Sequence, residues 1–158
     1  MGMDLYSARK PRGKKHLYYR FNAFGWGTFL DFLQDLGCDL SEFSGSNDGD
    51  LVSADTCADI ATRLAEIKAS LHALMIMDPK ELPGILPTHN KIVMVNENKE
   101  VDVAQEIITG RLAGRTFDPA CLTYKDSNTW TMWDRLAYYL GFGNFCSGCA
   151  KLGGFKQC

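Results

Sequence analysis

The clearest pattern in the chain is a helical repeat of apolar residues between Ser53 and Met77. The apolar side chains recur at spacings of three and four residues: Cys57, Ile60, Leu64, Ile67, Leu71 and Leu74. This spacing places them on one face of a helix over about five turns. Ser53 is suited to cap its N-terminus. The pattern therefore predicts one long amphipathic helix.

Shorter apolar repeats predict further helices. They cover approximately Ala23–Leu36, Asp102–Ala113, a segment after Ser127 or Asn128, and a last stretch near Asn144–Leu152. Asn22 is suited to cap the first of these, and Gly37 to end it. Gly153 and Gly154 follow the last stretch and are expected to stop it.

Three short segments have the composition of strands. They are His16–Phe21 (HLYYRF), a short extended piece at Gly49–Val52, and the apolar run Lys91–Val95 (KIVMV). Together with the helices they predict an α-rich α+β fold with four to five helices and a small sheet of short strands. The 158 residues suit one such domain, which we expect over residues 16–158.

The charges are distributed unevenly along the chain. Residues 1–20 contain six of the 17 Lys and Arg but only one of the 19 Asp and Glu. This predicts a basic arm over residues 1–15, kept flexible by Pro11 and Gly13, in front of an acidic body. Residues 9–20 could bind nucleic-acid phosphates, or they could form a solvated tail. The acidic body argues against a general nucleic-acid binder.

The C-terminal cysteines form the best motif for chemistry. Cys146 and Cys149 are three residues apart and would share one face of a helix, where they could bind zinc or form a reversible disulfide. Cys158 could be a third ligand. Structural zinc sites usually show two ligand pairs, and this sequence shows one. The alternative is that the thiols are reduced and pack as small apolar groups.

Three segments of the chain resemble motifs of a known group of proteins. They are YYRFNAFGW at 18–26, SNDGDLVSADTCADIATRL at 46–64, and FCSGCAKLGGF at 145–155. The chain thus resembles a broad group of small uncharacterised bacterial and phage-associated proteins with YFRFN-x-x-GW, SNDG and FC-x-GGF-like elements. The resemblance implies that both ends of the chain and the turn at residues 47–49 belong to one fold. It implies no reaction.

The sequence carries no recognisable catalytic or cofactor motif, signal-peptide pattern or apolar run of the ~20 residues that a membrane span needs. We therefore expect a non-enzymatic cytoplasmic protein that binds another macromolecule, in the first place a protein, and does not contact membranes. The candidate contacts are Arg12, Lys14, Lys15 and Trp26. The alternatives are a thiol-redox or zinc protein that uses the C-terminal cysteines, and a nucleic-acid-binding protein that uses the basic segment.

Overall fold

The computed structural model describes residues 2–44, 47–75, 90–96, 98–108, 122–126 and 132–158. In chain order these residues form β1 (Gly2–Ser7), β2 (Tyr18–Asn22), α1 (Ala23–Asp35), β3 (Leu51–Val52), α2 (Ala54–Met75), β4 (Asn90–Asn96), β5 (Lys99–Asp102), α3 (Val103–Ile108), β6 (Leu122–Asp126), α4 (Met132–Ala150) and β7 (Phe155–Gln157). These helices and antiparallel strands confirm the predicted α+β class.

Contacts divide the chain into two compact units. Unit 1 comprises Met1–Ala65 and Phe142–Cys158, and unit 2 comprises Glu66–Gly141. The three segments that carry the family resemblance all fall within unit 1, so both ends of the chain contribute to the same unit. The expectation of one domain over residues 16–158 stays a prediction.

Unit 1 contains a four-stranded antiparallel sheet in the order β2-β1-β7-β3. β1 lies inside this sheet, between β2 and β7. Its residues alternate, since Met3, Leu5 and Ser7 are buried while Tyr6 is exposed. One face of the sheet therefore belongs to the core, and the other faces outward.

The position of β1 differs from the flexible arm expected over residues 1–15. Residues 2–7 of that arm form a strand with a partner strand on each side, and Leu5 is fully buried. The sequence interpretation gave weight to the basic residues that follow and missed the alternation in GMDLYS. The C-terminal partner strand, β7, lies about 150 residues away along the chain, so no local pattern indicates this pairing.

Aromatic side chains fill the core between the sheet and the helices of unit 1. Phe21 of β2 stacks on Phe29 of α1, with ring centroids 4.5 Å apart. Phe142 of α4 meets Phe29 edge to face at 4.8 Å and Phe155 of β7 at 5.9 Å. Such pairs contribute roughly 0.5–1.5 kcal/mol each beyond the area they bury. The packing places α1 and the C-terminal part of α4 on the inner face of the sheet.

The N-termini of α1 and α2 are capped as the sequence predicts. The Asn22 side chain accepts a hydrogen bond from the Gly25 N–H, and the Ser53 hydroxyl accepts one from the Thr56 N–H at 3.3 Å. At the same end of α2, the Glu42 carboxylate accepts a hydrogen bond from the Ser53 N–H at 2.9 Å. The negative charge is favourable beside the positive end of the helix dipole.

The structure joins the last two predicted helices into one. α4 runs without a break from Met132 to Ala150, through Gly141 and Gly143. Gly143 is packed closely, because a Cβ there would lie 3.2 Å from the Cβ of Leu64 on α2. The glycine thus marks a close approach of two helices inside one continuous helix, where the sequence predicted two separate helical segments.

Unit 2 contains a second antiparallel sheet in the order β5-β4-β6. β4 confirms the strand predicted at Lys91–Val95, and α3 confirms the start of the helix predicted after Asp102. The Asp102 side chain accepts a hydrogen bond from the Ala104 N–H at 2.9 Å. The predicted continuation of that helix to Ala113 and the cap at Ser127 or Asn128 lie outside the described residues. No helix in the described ranges has the length and hydropathy needed to cross a membrane.

Candidate functional site

Trp26, predicted to contact a partner, lies in the core of unit 1. Only 6% of its surface is exposed. Its ring centroid is 5.3 Å from that of Phe21, 5.9 Å from that of Phe43 and 6.0 Å from that of Phe29. Trp26 is therefore a packing residue, and the structure separates it from the three predicted basic contacts, which are exposed.

The three basic contacts lie on the connection between β1 and β2, residues 8–17, which we call the basic loop. Its base is anchored to the rest of unit 1. The Ser7 N–H donates to the Leu17 carbonyl at 3.0 Å, and the Ala8 N–H donates to the Gly154 carbonyl at 2.8 Å. The Arg9 N–H donates to the Leu152 carbonyl at 3.1 Å. These bonds tie the loop to its own hairpin and to the C-terminal segment.

The tip of the basic loop exposes a group of positive charges. They belong to Lys10, Arg12, Lys14 and Lys15, and none of these forms an ion pair with the described residues. The Lys14 N–H donates to the Pro11 carbonyl at 3.1 Å, and Gly13 between them has a φ of +70° that favours glycine. The turn therefore holds four cations close together in sequence and in contact with solvent.

The outward side of the unit 1 sheet, which we call the outer face, carries a row of exposed side chains beside this loop. Register pairs Tyr18 with Tyr6, Tyr6 with Lys156, and Lys156 with Leu51. The row thus crosses all four strands. The two tyrosines are 49% and 39% exposed, and Leu51 is 51% exposed. The tyrosine ring centroids lie 5.1 Å apart with the rings inclined at 41°. Tyr6 lies two residues before the first residue of the basic loop, and Tyr18 directly follows the last.

A neighbouring row on the outer face holds Tyr18 in place. The Tyr18 hydroxyl donates to a carboxylate oxygen of Asp4, and the Arg20 guanidinium forms an ion pair with the same carboxylate at 3.6 Å. The hydrogen bond to Asp4 raises the pKa of Tyr18. Its hydroxyl is therefore protonated at neutral pH, and its ring is fixed relative to that of Tyr6.

Many of the basic residues of unit 1 belong to the basic loop and the outer face. The basic loop and the outer face contribute seven basic residues and one acid: Arg9, Lys10, Arg12, Lys14, Lys15, Arg20, Lys156 and Asp4. On the inner side of the sheet, α1 carries Asp31 and Asp35 and no basic residue. Two further acids, Asp48 and Asp50, are exposed next to β3, at the edge opposite β2. A chain with a net charge of −2 thus carries a local excess of positive charge in the basic loop and on the strands that hold the tyrosine pair.

The cysteines of the C-x-x-C motif lie in the core. Cys146 and Cys149 are fully buried on α4. Burial raises the pKa of Cys149 to about 12, and burial together with a hydrogen bond to Cys57 raises the pKa of Cys146. Thiolates are the form that attacks disulfides and binds metals, so both side chains are in the unreactive form at neutral pH. Their setting favours packing as small apolar groups.

Cys158, the predicted third ligand, has a different environment. It is exposed, and its backbone N–H and carbonyl bond to the Asp4 carbonyl and N–H at 2.8 and 2.9 Å. Across the part of the chain that the structure describes, no three His, Cys, Asp or Glu side chains are grouped so that they could hold a metal ion. The zinc and redox hypotheses stay predictions that these geometries do not support.

Sequence reasoning missed the tyrosine pair. The signal was the period-two pattern of β1 and β2, in which Tyr6 alternates with buried Leu5 and Ser7, and Tyr18 and Arg20 lie on the opposite side to Phe21. Reading that pattern required residues 2–7 to be recognised as a strand.

Comparisons with protein-family models, curated proteins and solved structures found no match. The resemblance inferred from the three sequence segments stays a prediction. The basic loop and the outer face are therefore the candidate functional site.

Proposed function

We propose that unit 1 binds nucleic acid through the basic loop and the adjoining outer face. The observation that carries the proposal is the concentration of seven basic residues in the basic loop and on the outer face, while the acidic side chains of α1 lie on the inner side of the sheet. Two of the seven already have partners, since Arg9 Nε donates to the Leu152 carbonyl at 3.2 Å and Arg20 pairs with Asp4. Phosphates are neutralised by such groups of Lys and Arg, and the release of counterions then supplies most of the binding free energy.

The sequence analysis favoured a protein partner, because the acidic body argued against a nucleic-acid partner. Two features of the fold favour the nucleic-acid hypothesis instead. Trp26, the aromatic residue of the predicted protein-binding surface, lies in the core. The acidic residues of α1 are on the other side of the sheet from Arg20 and Lys156, so they do not lie between these cations and a polyanion on the outer face. The basic residues on which the nucleic-acid hypothesis depended are all exposed in the fold.

The loop geometry also supports a binding surface over a solvated tail. A tail would lose conformational freedom on binding, which costs roughly 1–2 kcal/mol for each backbone residue that becomes ordered. Here the hydrogen bonds of Ser7, Ala8 and Arg9 already order the base of the loop. The cost of holding Arg12, Lys14 and Lys15 near a phosphate backbone is correspondingly smaller.

The experiment measures the binding of a fluorescein-labelled 20-residue oligothymidine by anisotropy between 50 and 300 mM NaCl. If all seven cations contact phosphates, the slope of log K against log salt reaches about −5, because each contact with a single strand contributes about 0.7. The variant R12A/K14A/K15A removes three exposed charges and is expected to make the slope shallower by about 2.

A matched control keeps the charges and changes the side chains. R12K/K14R/K15R is expected to retain the slope of the unaltered protein, because counterion release depends on charge. All three positions are exposed, so circular dichroism should show the same fold in each variant. Absence of binding at 50 mM NaCl, or equal slopes for the alanine variant and the unaltered protein, would reject the proposal.

A further inference from the structure

We propose that Tyr6 and Tyr18 form a stacking platform that makes this surface selective for single-stranded nucleic acid. The inference rests on the proposed function and adds to it the class of nucleic acid that is bound. It is carried by a second observation, independent of charge: two large rings that remain exposed side by side on a sheet.

The position of the rings matches what an unpaired base needs. Their centroids are 5.1 Å apart on neighbouring strands, and both side chains project from the same face as Lys156 and Arg20. Bases of single strands have accessible faces that stack on aromatic side chains, while the bases of a duplex are already stacked on each other. Lys156 lies opposite Tyr6 in the register, and Arg20 lies two residues after Tyr18 on the same face, so both cations are next to the ring pair.

The platform is held in a fixed geometry before any ligand arrives. Asp4 accepts the hydroxyl hydrogen of Tyr18 and is itself paired with Arg20. A ring that is already oriented loses less rotational freedom when a base stacks on it. The Asp4 carboxylate lies beside Arg20, which offsets its repulsion of phosphates.

The test compares the binding of three probes with nearly equal numbers of phosphates to the full-length protein at 100 mM NaCl. The probes are a 20-residue oligothymidine, the same backbone with abasic sites at every position, and a 10-base-pair duplex. Stacking on one or two rings is expected to make the oligothymidine bind at least about tenfold more tightly than the abasic strand. The duplex is expected to bind like the abasic strand, apart from its higher charge density.

Two variants connect this difference to the tyrosines. Y6F/Y18F keeps both rings and is expected to keep most of the preference for the oligothymidine, reduced by the loss of the hydrogen bond that orients Tyr18. Y6T/Y18T removes the rings but keeps residues that favour strands, and is expected to bind all three probes alike. Both positions are exposed, and the single variant Y6T is expected to lose part of the preference if the double variant does not fold.

The outcomes separate this inference from the proposed function. Salt-dependent binding that is equal for the oligothymidine and the abasic strand would overturn the stacking platform and leave nucleic-acid binding in place. Absence of salt-dependent binding to every probe would overturn both. Binding of poly-glutamate as tightly as the oligothymidine would also overturn both, because it would identify an acidic polypeptide as the partner.

Discussion

Gly154 provides a sharp test of how β7, which carries Lys156 of the outer face, is held in unit 1. This residue lies between α4 and β7 with a φ of +101°. Its N–H donates to the Cys149 carbonyl, and its carbonyl accepts from the Ala8 N–H, both at 2.8 Å. A Cβ at this position would lie 2.0 Å from the Val52 carbonyl oxygen, which is backbone and cannot rotate away. The substitution G154A should therefore be severely destabilising.

The loss in the free energy of unfolding caused by G154A has two parts. Placing a residue with a Cβ in the left-handed region costs roughly 1–2 kcal/mol. The clash can be relieved only if β3 moves away from β7, which exposes Val52, now fully buried, at a cost of about 1.5–3 kcal/mol. The expected loss in the free energy of unfolding is about 2.5–5 kcal/mol, a large share of the roughly 5–15 kcal/mol of a typical domain.

Gly49 offers a matched control, because it also has a positive φ, +81°, but a Cβ there would meet no atom within 4 Å. G49A should lose only the backbone part, about 1–2 kcal/mol. Urea unfolding followed by far-UV circular dichroism measures both variants. With a slope of roughly 2 kcal/mol per molar, the midpoint of G154A should fall by more than 1 M. Equal midpoints for the two variants would refute the close approach of Gly154 to Val52.

Two further predictions concern titratable groups of unit 1. Hydrogen bonds at the start of α2 lower the pKa of Glu42. The ionised carboxylate therefore stabilises the folded state fully above its ordinary pKa of 4.5, and this stabilisation is lost as pH falls through the lowered pKa. E42Q should therefore cost about 0.3–1 kcal/mol in urea unfolding at pH 7, and the difference from the unaltered protein should shrink by pH 3. In the native protein at pH 7.5, iodoacetamide should label Cys158 long before Cys146 and Cys149, as measured by peptide mass spectrometry.

Each of these two predictions has an outcome that would contradict it. A cost of E42Q that is the same at pH 3 and pH 7 would show that the charge of Glu42 does not stabilise the start of α2. Labelling of Cys146 as fast as Cys158 would show that α4 exposes its thiols, and it would restore the redox hypothesis. Labelling in denaturant is the control for intrinsic differences among the cysteines.

The elements predicted well from sequence are those whose signals are local. Asn22 and Ser53 cap helices because a cap depends on hydrogen bonds within three residues. Gly37 ends α1 with a φ of +79°, again a local requirement. The strand β4 was also recognised, since a few consecutive apolar residues are a local signal.

Only part of the candidate site could be predicted from the sequence. The sequence located the basic residues, because charge can be counted, but it assigned Trp26 to the surface and overlooked the tyrosine pair. An apolar helical repeat indicates which side chains are candidates for burial and does not indicate which of them are covered. Burial of Trp26 required Phe21 from β2 and Phe43 from the loop after α1, and only the folded chain brings them together.

The sequence by itself determined the α+β class, the start of α1 and α2, and the basic character of the N-terminal segment. Tertiary structure alone decided that residues 2–7 are an inner strand, that α4 continues through its glycines, and that Tyr6 and Tyr18 stand together beside the basic loop. The reason is physical. Caps and helical repeats depend on neighbours a few residues away, whereas β1 acquires its place by pairing with β7 at the other end of the chain.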